Sequence, residues 1–507
     1  MNRFAPSGKN FPVVGNTFIK GEAAGTPLAY SGLHMTPTRF TALPAFAWLL
    51  ALLLVTGTAS CVSLPGPDRT LKPLPPQQVA ERVTVQGRAG PVPEAVQARD
   101  LARVRAEGNA ALFERHLGVL AAAGEAQLLR GNTAKLLVDG PATFAAMKAA
   151  IATARQRVLV EFYIVEDEGV AAEVGELLLR KAAEGVRVAL MYDSLGSVGT
   201  DSAFFDRLRQ GGIAVCAFNP LNPLERPGHW GVLQRNHRKM LAVDSDVAFT
   251  GGINLSNVYA EGSFGSARRK KPPADADRQG WRDTQIELHG PVVNALSGVF
   301  RQSWASQGCQ GELPAAPPPR VALPGQRVVK LVAGNPDQGV NPSYTALLHA
   351  IEASERSVQL TMAYFAPGDE LIRSLCDAAR RGVAVSLVLP GRSDVSMVLH
   401  AARSRYAQLL DAGVEIHEMT QSVMHAKTAV VDGVYASVGS SNLDWRSIVG
   451  NHELDVIVLG DDFGQEMQAL FARDLTVSQR IDADQWARRG LGQRLLQGFA
   501  RLVEPLL

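Results

Sequence analysis

Two stretches of the chain carry the same order of apolar and polar positions. Apolar runs at 157–164 and 185–193 enclose an amphipathic segment, and the same order returns with runs at 357–365 and 382–390. Short, nearly continuous apolar runs are the pattern of strands buried on both faces, and a helical period between them is that of a crossover. Each stretch therefore predicts a β–α–β unit. A unit met twice predicts an α/β fold of two pseudo-symmetric halves, each a mixed sheet flanked by helices, with an active site at their interface.

Residues 93–307 are assigned to the first half and 327–480 to the second, joined by a proline- and alanine-rich linker at 308–326. Helical spacing of Val96, Leu101, Val104, Leu112, Phe113 and Leu117 opens the first half. Residues 481–507 form a C-terminal amphipathic helix. Its leucines, with Phe499, fall on one face, and Arg488, Arg489, Arg494 and Arg501 lie nearby. Such a helix suits either a membrane interface or the protein's own core. The insert at 263–280 holds Arg268, Arg269, Lys270 and Lys271 and reads as a surface loop.

The amino-terminal pattern is different in kind. Residues 1–61 are an extension with a signal or lipoprotein-type segment, and 62–92 a proline-rich tether. Arg39 precedes an apolar run, Ala42 to Val55, that is too short for a spanning helix of about 20 residues and suits the apolar region of a signal peptide. Thr58, Ala59, Ser60 and Cys61 follow and resemble a bacterial lipobox, which makes Cys61 a lipidation site. Met35 stands where the basic region of such a signal would begin. These features place the protein at a membrane, exported toward the periplasmic side.

Composition is that of a globular protein, 46% hydrophobic and 20% charged. A net charge of +2 is low for a dedicated duplex-nucleic-acid binder. The four cysteines, Cys61, Cys216, Cys309 and Cys376, fit neither a zinc pattern nor a CxxC redox motif. Cys216 and Cys376 are expected to be buried small apolar residues.

Each half then reaches the same cluster. The first runs His237, Lys239, Asp244, Gly251 and Asn254, the second His425, Lys427, Asp432, Gly439 and Asn442, with identical spacing HxKx4Dx6GxxN. One HxK carries no information, whereas two copies after two β–α–β units do. Residues two apart on a strand face the same side, so each half presents an imidazole and an ammonium together while Arg238 or Ala426 points away. The glycines permit close backbone approach and the asparagines offer donors. Two lysines to offset phosphate charge and two histidines, one to attack phosphorus and one to handle the leaving oxygen, suit a phosphodiester. The candidate catalytic set is His237, Lys239, Asp244, His425, Lys427 and Asp432, with Asn254 and Asn442 on the substrate phosphate. Within that set, Asp244 and Asp432 sit at turn-like strand ends, where a structural role is expected. Lysine beside histidine repels a cation, so neither a metal nor another cofactor is expected.

From about Val158 to the C-terminus the chain resembles the phospholipase D superfamily, and the bacterial cardiolipin synthases within it. Besides the doubled motif, the resemblance rests on 161–164 (EFYI), 281–284 (WRDT), 290–293 (GPVV), 364–367 (YFAP), 389–394 (LPGRSD), 442–447 (NLDWRS) and 451–453 (NHE). The exported amino terminus departs from the paired membrane spans of the longest synthases. The resemblance implies a two-step exchange through a phosphatidyl-histidine, with His237 as nucleophile and His425 as acid and base. It also implies cross-half carboxylate partners that fix each tautomer, Glu453 for His237 and Asp283 for His425. The expected reaction is cardiolipin synthesis from phosphatidylglycerol at a membrane surface, with phospholipid as substrate and neither nucleic acid nor an obligatory protein partner. The alternatives are a hydrolytic phospholipase D and, more distantly, a nucleic-acid phosphodiesterase.

Overall fold

The computed structural model describes residues 83–507 together with Leu74 and Gln78, apart from 88–89, 106–108, 123–125, 223, 225–232, 264–279, 312, 314 and 319–323. The signal-like segment, Cys61, most of the tether and the basic run at 268–271 lie outside the described residues.

The amino-terminal strands are β1 (Val83–Gly87) and β2 (Gly90–Pro91), followed by helices α1 (Glu94–Arg105) and α2 (Ala110–Ala122) and the long strand β3 (Ala126–Val138). The first β–α–β series is α3 (Asp139–Ala152), β4 (Arg157–Phe162), α4 (Gly169–Ala183), β5 (Arg187–Asp193), α5 (Ser202–Gln210) and β6 (Ala214–Phe218). There follow β7 (Arg235–Asn236), β8 (Met240–Val243), β9 (Val247–Gly251), β10 (Thr284–His289) and α6 (Pro291–Ser306). The second half repeats the order with β11 (Arg327–Gly334), α7 (Pro342–Glu352), β12 (Ser357–Met362), α8 (Gly368–Arg380), β13 (Ala384–Pro390), α9 (Ser396–Asp411) and β14 (Glu415–Met419). It continues through β15 (Lys427–Val431), β16 (Tyr435–Gly439), β17 (Asn451–Leu459), α10 (Asp461–Thr476) and β18 (Ser478–Arg480). Helices α11 (Ala483–Ala487) and α12 (Leu491–Leu502) end the chain.

Strand order in the first sheet is β6-β5-β4-β8-β9-β10-β3. In the second it is β14-β13-β12-β15-β16-β17-β11, with β18 added at the β14 edge. In both, the three crossover strands are parallel and the motif hairpin antiparallel, which is the mixed α/β architecture that the apolar runs predicted. β3 and β11 pair antiparallel and join the sheets. Between the sheets lies one core. Val292, Leu296 and Phe300 of α6 and Phe463 and Met467 of α10 pack there with Met240, Ala242 and Ile286 of the first sheet and Val430, Val438 and Val456 of the second. Apolar side chains on both sheets thus lose water through a shared layer, at roughly 25 cal/mol per Å² of apolar surface.

The boundary at 93 follows chain order and not packing. Phe113, Leu117, Leu120 and Ala121 of α2, with Val83 and Val85 of β1, pack into the core formed by Val358, Leu360, Leu387 and Leu459 of the second half. β1, expected in the tether, and α2, expected in the first half, therefore complete the second half, and β3 crosses between the sheets.

The cysteine expectation needs one correction. Cys376 is buried and free, but Cys216 on β6 forms a disulfide with Cys309, just past the end of α6.

Candidate active site

The backbone preceding each motif lysine is held by groups brought from elsewhere. The Asp193 carboxylate accepts the Asn236 N–H at 2.8 Å, and the Asn236 amide donates to Glu161 at 2.7 Å. His237 then lies just beyond β7, with its N–H donating to the carbonyl of His452 at 2.9 Å. In the second half the His425 N–H donates to the carbonyl of Arg282 at 2.7 Å.

The residue after each of those carbonyls supplies the carboxylate for the same imidazole. Glu453 lies 3.0 and 3.1 Å from Nδ1 of His237, and Asp283 lies 2.8 Å from Nδ1 of His425. Both crossings run between halves, in opposite directions. With Nδ1 occupied, Nε2 is the nitrogen left for chemistry. Gly252, which follows the motif glycine Gly251, makes room for this arrangement. A Cβ on Gly252 would sit 2.1 Å from an Asp283 oxygen. At the matching position Ser440 donates to Glu453.

Lys239 and Lys427 are buried, and each Nζ donates to the carbonyl of its own motif histidine. Lys427 Nζ also stands 3.0 Å from His425 Nε2. Burial, with Lys427 nearby, pulls Lys239 down to about 7, and burial pulls Lys427 down to about 8. Burial followed by the two lysines pushes His237 well below the ordinary imidazole range, and burial followed by Lys427 pulls His425 down to about 4. Burial raises Glu453 to about 7 against the opposing pull of Lys239. Two buried lysines beside two imidazoles thus give the cleft a charge suited to an anionic group.

A cavity of about 360 Å³ opens onto both histidines. Asn254 and Asn442 line it, as do Tyr163, Arg235, Tyr259, Trp281, Tyr364, Asp394, Asp444 and Arg446. Asn254 is braced by the Ile164 N–H at 3.1 Å. Asn442 Oδ1 is buried without a hydrogen-bond partner among the described residues, and rotation of the amide turns its NH₂ to the same place. The aromatic residues were not singled out from the sequence. Tyr163 meets the His237 ring edge-on at 5.2 Å, while Tyr259, Trp281 and Tyr364 surround His425 at 5.9, 5.1 and 5.9 Å. Tyr163, Trp281 and Tyr364 fall within the stretches that carry the resemblance, Tyr163 one residue past β4 and Tyr364 two past β12, whereas Tyr259 lies in none of them.

Asp244 and Asp432 are not in this cavity, which corrects their place in the catalytic set. They lie beyond the far ends of β8 and β15 with φ of 53° and 55°. Asp244 accepts the backbone N–H groups of Arg155, Gln156 and Arg157 at 2.9–3.1 Å. Asp432 accepts those of Glu355, Arg356 and Ser357, and His116 Nε2 lies 2.9 Å from it. Aspartate tolerates the left-handed region better than most residues, and its carboxylate closes the turn. Arg238, expected to point away, does so: it donates to the Glu453 carbonyl, Ser303 and the Gly334 carbonyl.

Two histidine–lysine half-sites meeting across a repeated sheet define an enzyme of the phospholipase D type, a phosphatidyltransferase. The family model described as cardiolipin synthase, PLD-like domain, matches residues 347–475. The cardiolipin synthase of Halalkalibacterium halodurans is 31% identical over 379 residues, covering 74% of this chain and 72% of that protein. Cardiolipin synthase A of Pseudomonas syringae is 33% identical over 388 residues, covering 76% and 77%. The chain belongs to the cardiolipin synthase family. In fold it is similar to the phosphatidylserine synthase of Haemophilus influenzae, with a TM-score of 0.53 at 14% identity over 74% of this chain and 95% of the other.

Proposed function

We propose that the protein makes cardiolipin from two molecules of phosphatidylglycerol, with His237 as nucleophile and His425 as acid and base. The observation that carries this reading is the pair of imidazoles on one cavity, each with Nδ1 against a carboxylate of the opposite half. Nε2 of neutral His237 attacks phosphorus as the bond to the glycerol oxygen breaks, and protonated His425 gives that oxygen its proton. Glycerol leaves a phosphatidyl group on His237. Neutral His425 then takes the proton of a headgroup hydroxyl on the second phosphatidylglycerol. That oxygen attacks phosphorus, the phosphorus–nitrogen bond breaks, and cardiolipin and free His237 result.

The electrostatics suit this order. His237, held neutral by burial and by cations, is ready to attack. His425 must gain a proton first, and a bound phosphodiester anion beside it favours the charged imidazole. Lys239 and Lys427 are then countered by the phosphoryl oxygens and stabilise the charge that builds there. Asn254 and Asn442 complete the oxygen contacts.

The protein is further assigned to the oxidising side of a membrane. Among the described residues no helix is long and apolar enough to cross a bilayer. The Cys216–Cys309 disulfide supports export, since such bonds persist outside reducing compartments.

The test is phosphatidylglycerol in mixed micelles, with the lipid products separated by mass, for wild type, His237→Ala and His425→Ala. Cardiolipin from wild type and from neither variant is the expected result. Phosphatidic acid as the only product would move the reaction to hydrolysis.

A further inference from the structure

Helix α12 is turned inside out. A helix on a water-soluble protein buries its leucines and wets its polar face. Here the face packed on α9 carries Gln497 and Ala500, both buried, while Leu491, Leu495 and Leu502 stand 72%, 67% and 59% exposed. Polar groups fix this orientation. Gln497 accepts from Arg489 at 2.8 Å, and Arg489 stacks on Trp486. Beyond the helix, the buried carboxylate of Glu504 accepts the Gly368 N–H at 2.8 Å and also meets Arg405. The wrong-way face is therefore held in place by the structure itself.

Two further observations say what covers it. The apolar face continues into the wall of the active-site cavity, where Leu506 and Leu507 stand with Val395 and Val398. Leu506 and Val395 are also exposed at that lip, and Val449, between lining residues Arg446 and Asn451, is exposed as well. Arg488, Arg494 and Arg501 are exposed on the helix and its lead-in, a charge pattern complementary to anionic headgroups.

We propose that the outer face of α12, with the lip formed by Leu506 and Val395, is the surface that lies in the headgroup–acyl boundary of an anionic membrane and presents the cavity to lipid. This deepens the phosphatidyl-transfer reading and rests on it for the direction the cavity must face. A diacyl lipid can then place its phosphate between the histidines while its chains stay in the bilayer.

The test uses the full chain with Cys61 and Cys376 replaced by serine and a nitroxide on Leu495→Cys. It is read in vesicles of phosphatidylglycerol and phosphatidylethanolamine. Oxygen accessibility well above that to a water-soluble nickel complex, as at the hydrocarbon boundary, is expected. A label that stays water-exposed in the presence of vesicles overturns the proposal, as does one shielded equally from both relaxants by a second copy of the chain. A Leu495→Gln, Leu502→Gln variant adds a kinetic reading. It should need several-fold more bulk lipid for half-maximal rate, with unchanged turnover of monomeric short-chain phosphatidylglycerol. Equal loss on both substrates would make the face structural and overturn the proposal. Because the nitroxide measurement needs no turnover, hydrocarbon depth without cardiolipin formation would sink the reaction and leave the surface standing.

Discussion

Arg282 and Asp474 form a two-pronged ion pair, Nε to Oδ1 and Nη2 to Oδ2, both at 2.8 Å and both shut off from water. Asp474 belongs to α10 of the second half, whereas Arg282 immediately precedes Asp283 in the first and offers its carbonyl to His425. The pair anchors the segment that carries the carboxylate across the interface. Asp474→Ala strands a buried guanidinium and should cost about 3–5 kcal/mol of stability. The double variant with Arg282→Met should recover part of that loss in chemical denaturation. No recovery would mean the pair acts through something other than its charge.

Asp283→Asn and Glu453→Gln should each lower kcat by about a hundred- to ten-thousandfold with the fold intact, because the imidazole loses its oriented tautomer. Gly252→Ala should behave like Asp283→Asn, since the new Cβ displaces that carboxylate. Near-wild-type turnover in Gly252→Ala would show that Asp283 need not sit where it does.

With a phosphatidyl ester of p-nitrophenol, whose departing oxygen needs no proton, His425→Ala should accumulate a phosphatidyl adduct on His237, visible as a mass increase of the intact protein, and His237→Ala should not. The reverse pattern would exchange the two roles.

The strand-end aspartates should behave as turn closures. Asp244→Ala removes an acceptor from three backbone N–H groups and leaves alanine at positive φ, so a loss of about 3 kcal/mol or more is expected. Turnover per folded molecule should change little. A stable but inactive Asp244→Ala would place the residue back in the chemistry.

Tungstate, a dianion across the relevant range, should bind with proton uptake. Burial pulls Lys239 and Lys427 down to about 7 and about 8, and an oxyanion between them favours their charged forms. As pH rises through this window, affinity should fall by about tenfold per unit for each lysine that must be reprotonated. Calorimetry in buffers of different ionisation enthalpy counts the protons, and a pH-independent affinity would contradict the pulled-down lysines.

The Cys216–Cys309 link closes a loop with a sequence separation of 93. The double serine variant should lose about 4–5 kcal/mol on the chain-entropy account. Thiol labelling of unfolded protein should reveal no free sulfur at either position until a reductant is added.

The doubled HxK spacing was legible because strand alternation alone puts the histidine and lysine on one side and the intervening Arg238 on the other. Glu453 and Asp283 were reachable only through resemblance, since nothing local ties a carboxylate to an imidazole 216 or 142 positions away. Disulfide connectivity has no local signal either. The residues of β1 were placed in the tether and those of α2 in the first half, and both instead pack with a distant core. For α12, periodicity shows that one face is apolar, but which face meets the protein depends on Gln497 and Glu504 finding partners.

The junction of residues 83–122 with the second half also sets an order of events during synthesis. His116 on α2 reaches Asp432, 316 residues further along, and Phe113 and Leu117 share a core with strands made late. A ribosome delivers α2 long before the sheet that covers it exists. Until then its apolar side has no partner within the chain, and a fragment stopped at the linker keeps it bare. Such a half-length product is a sticky remnant and not half an enzyme, because the surface that would cover this early helix arrives only with the last strands.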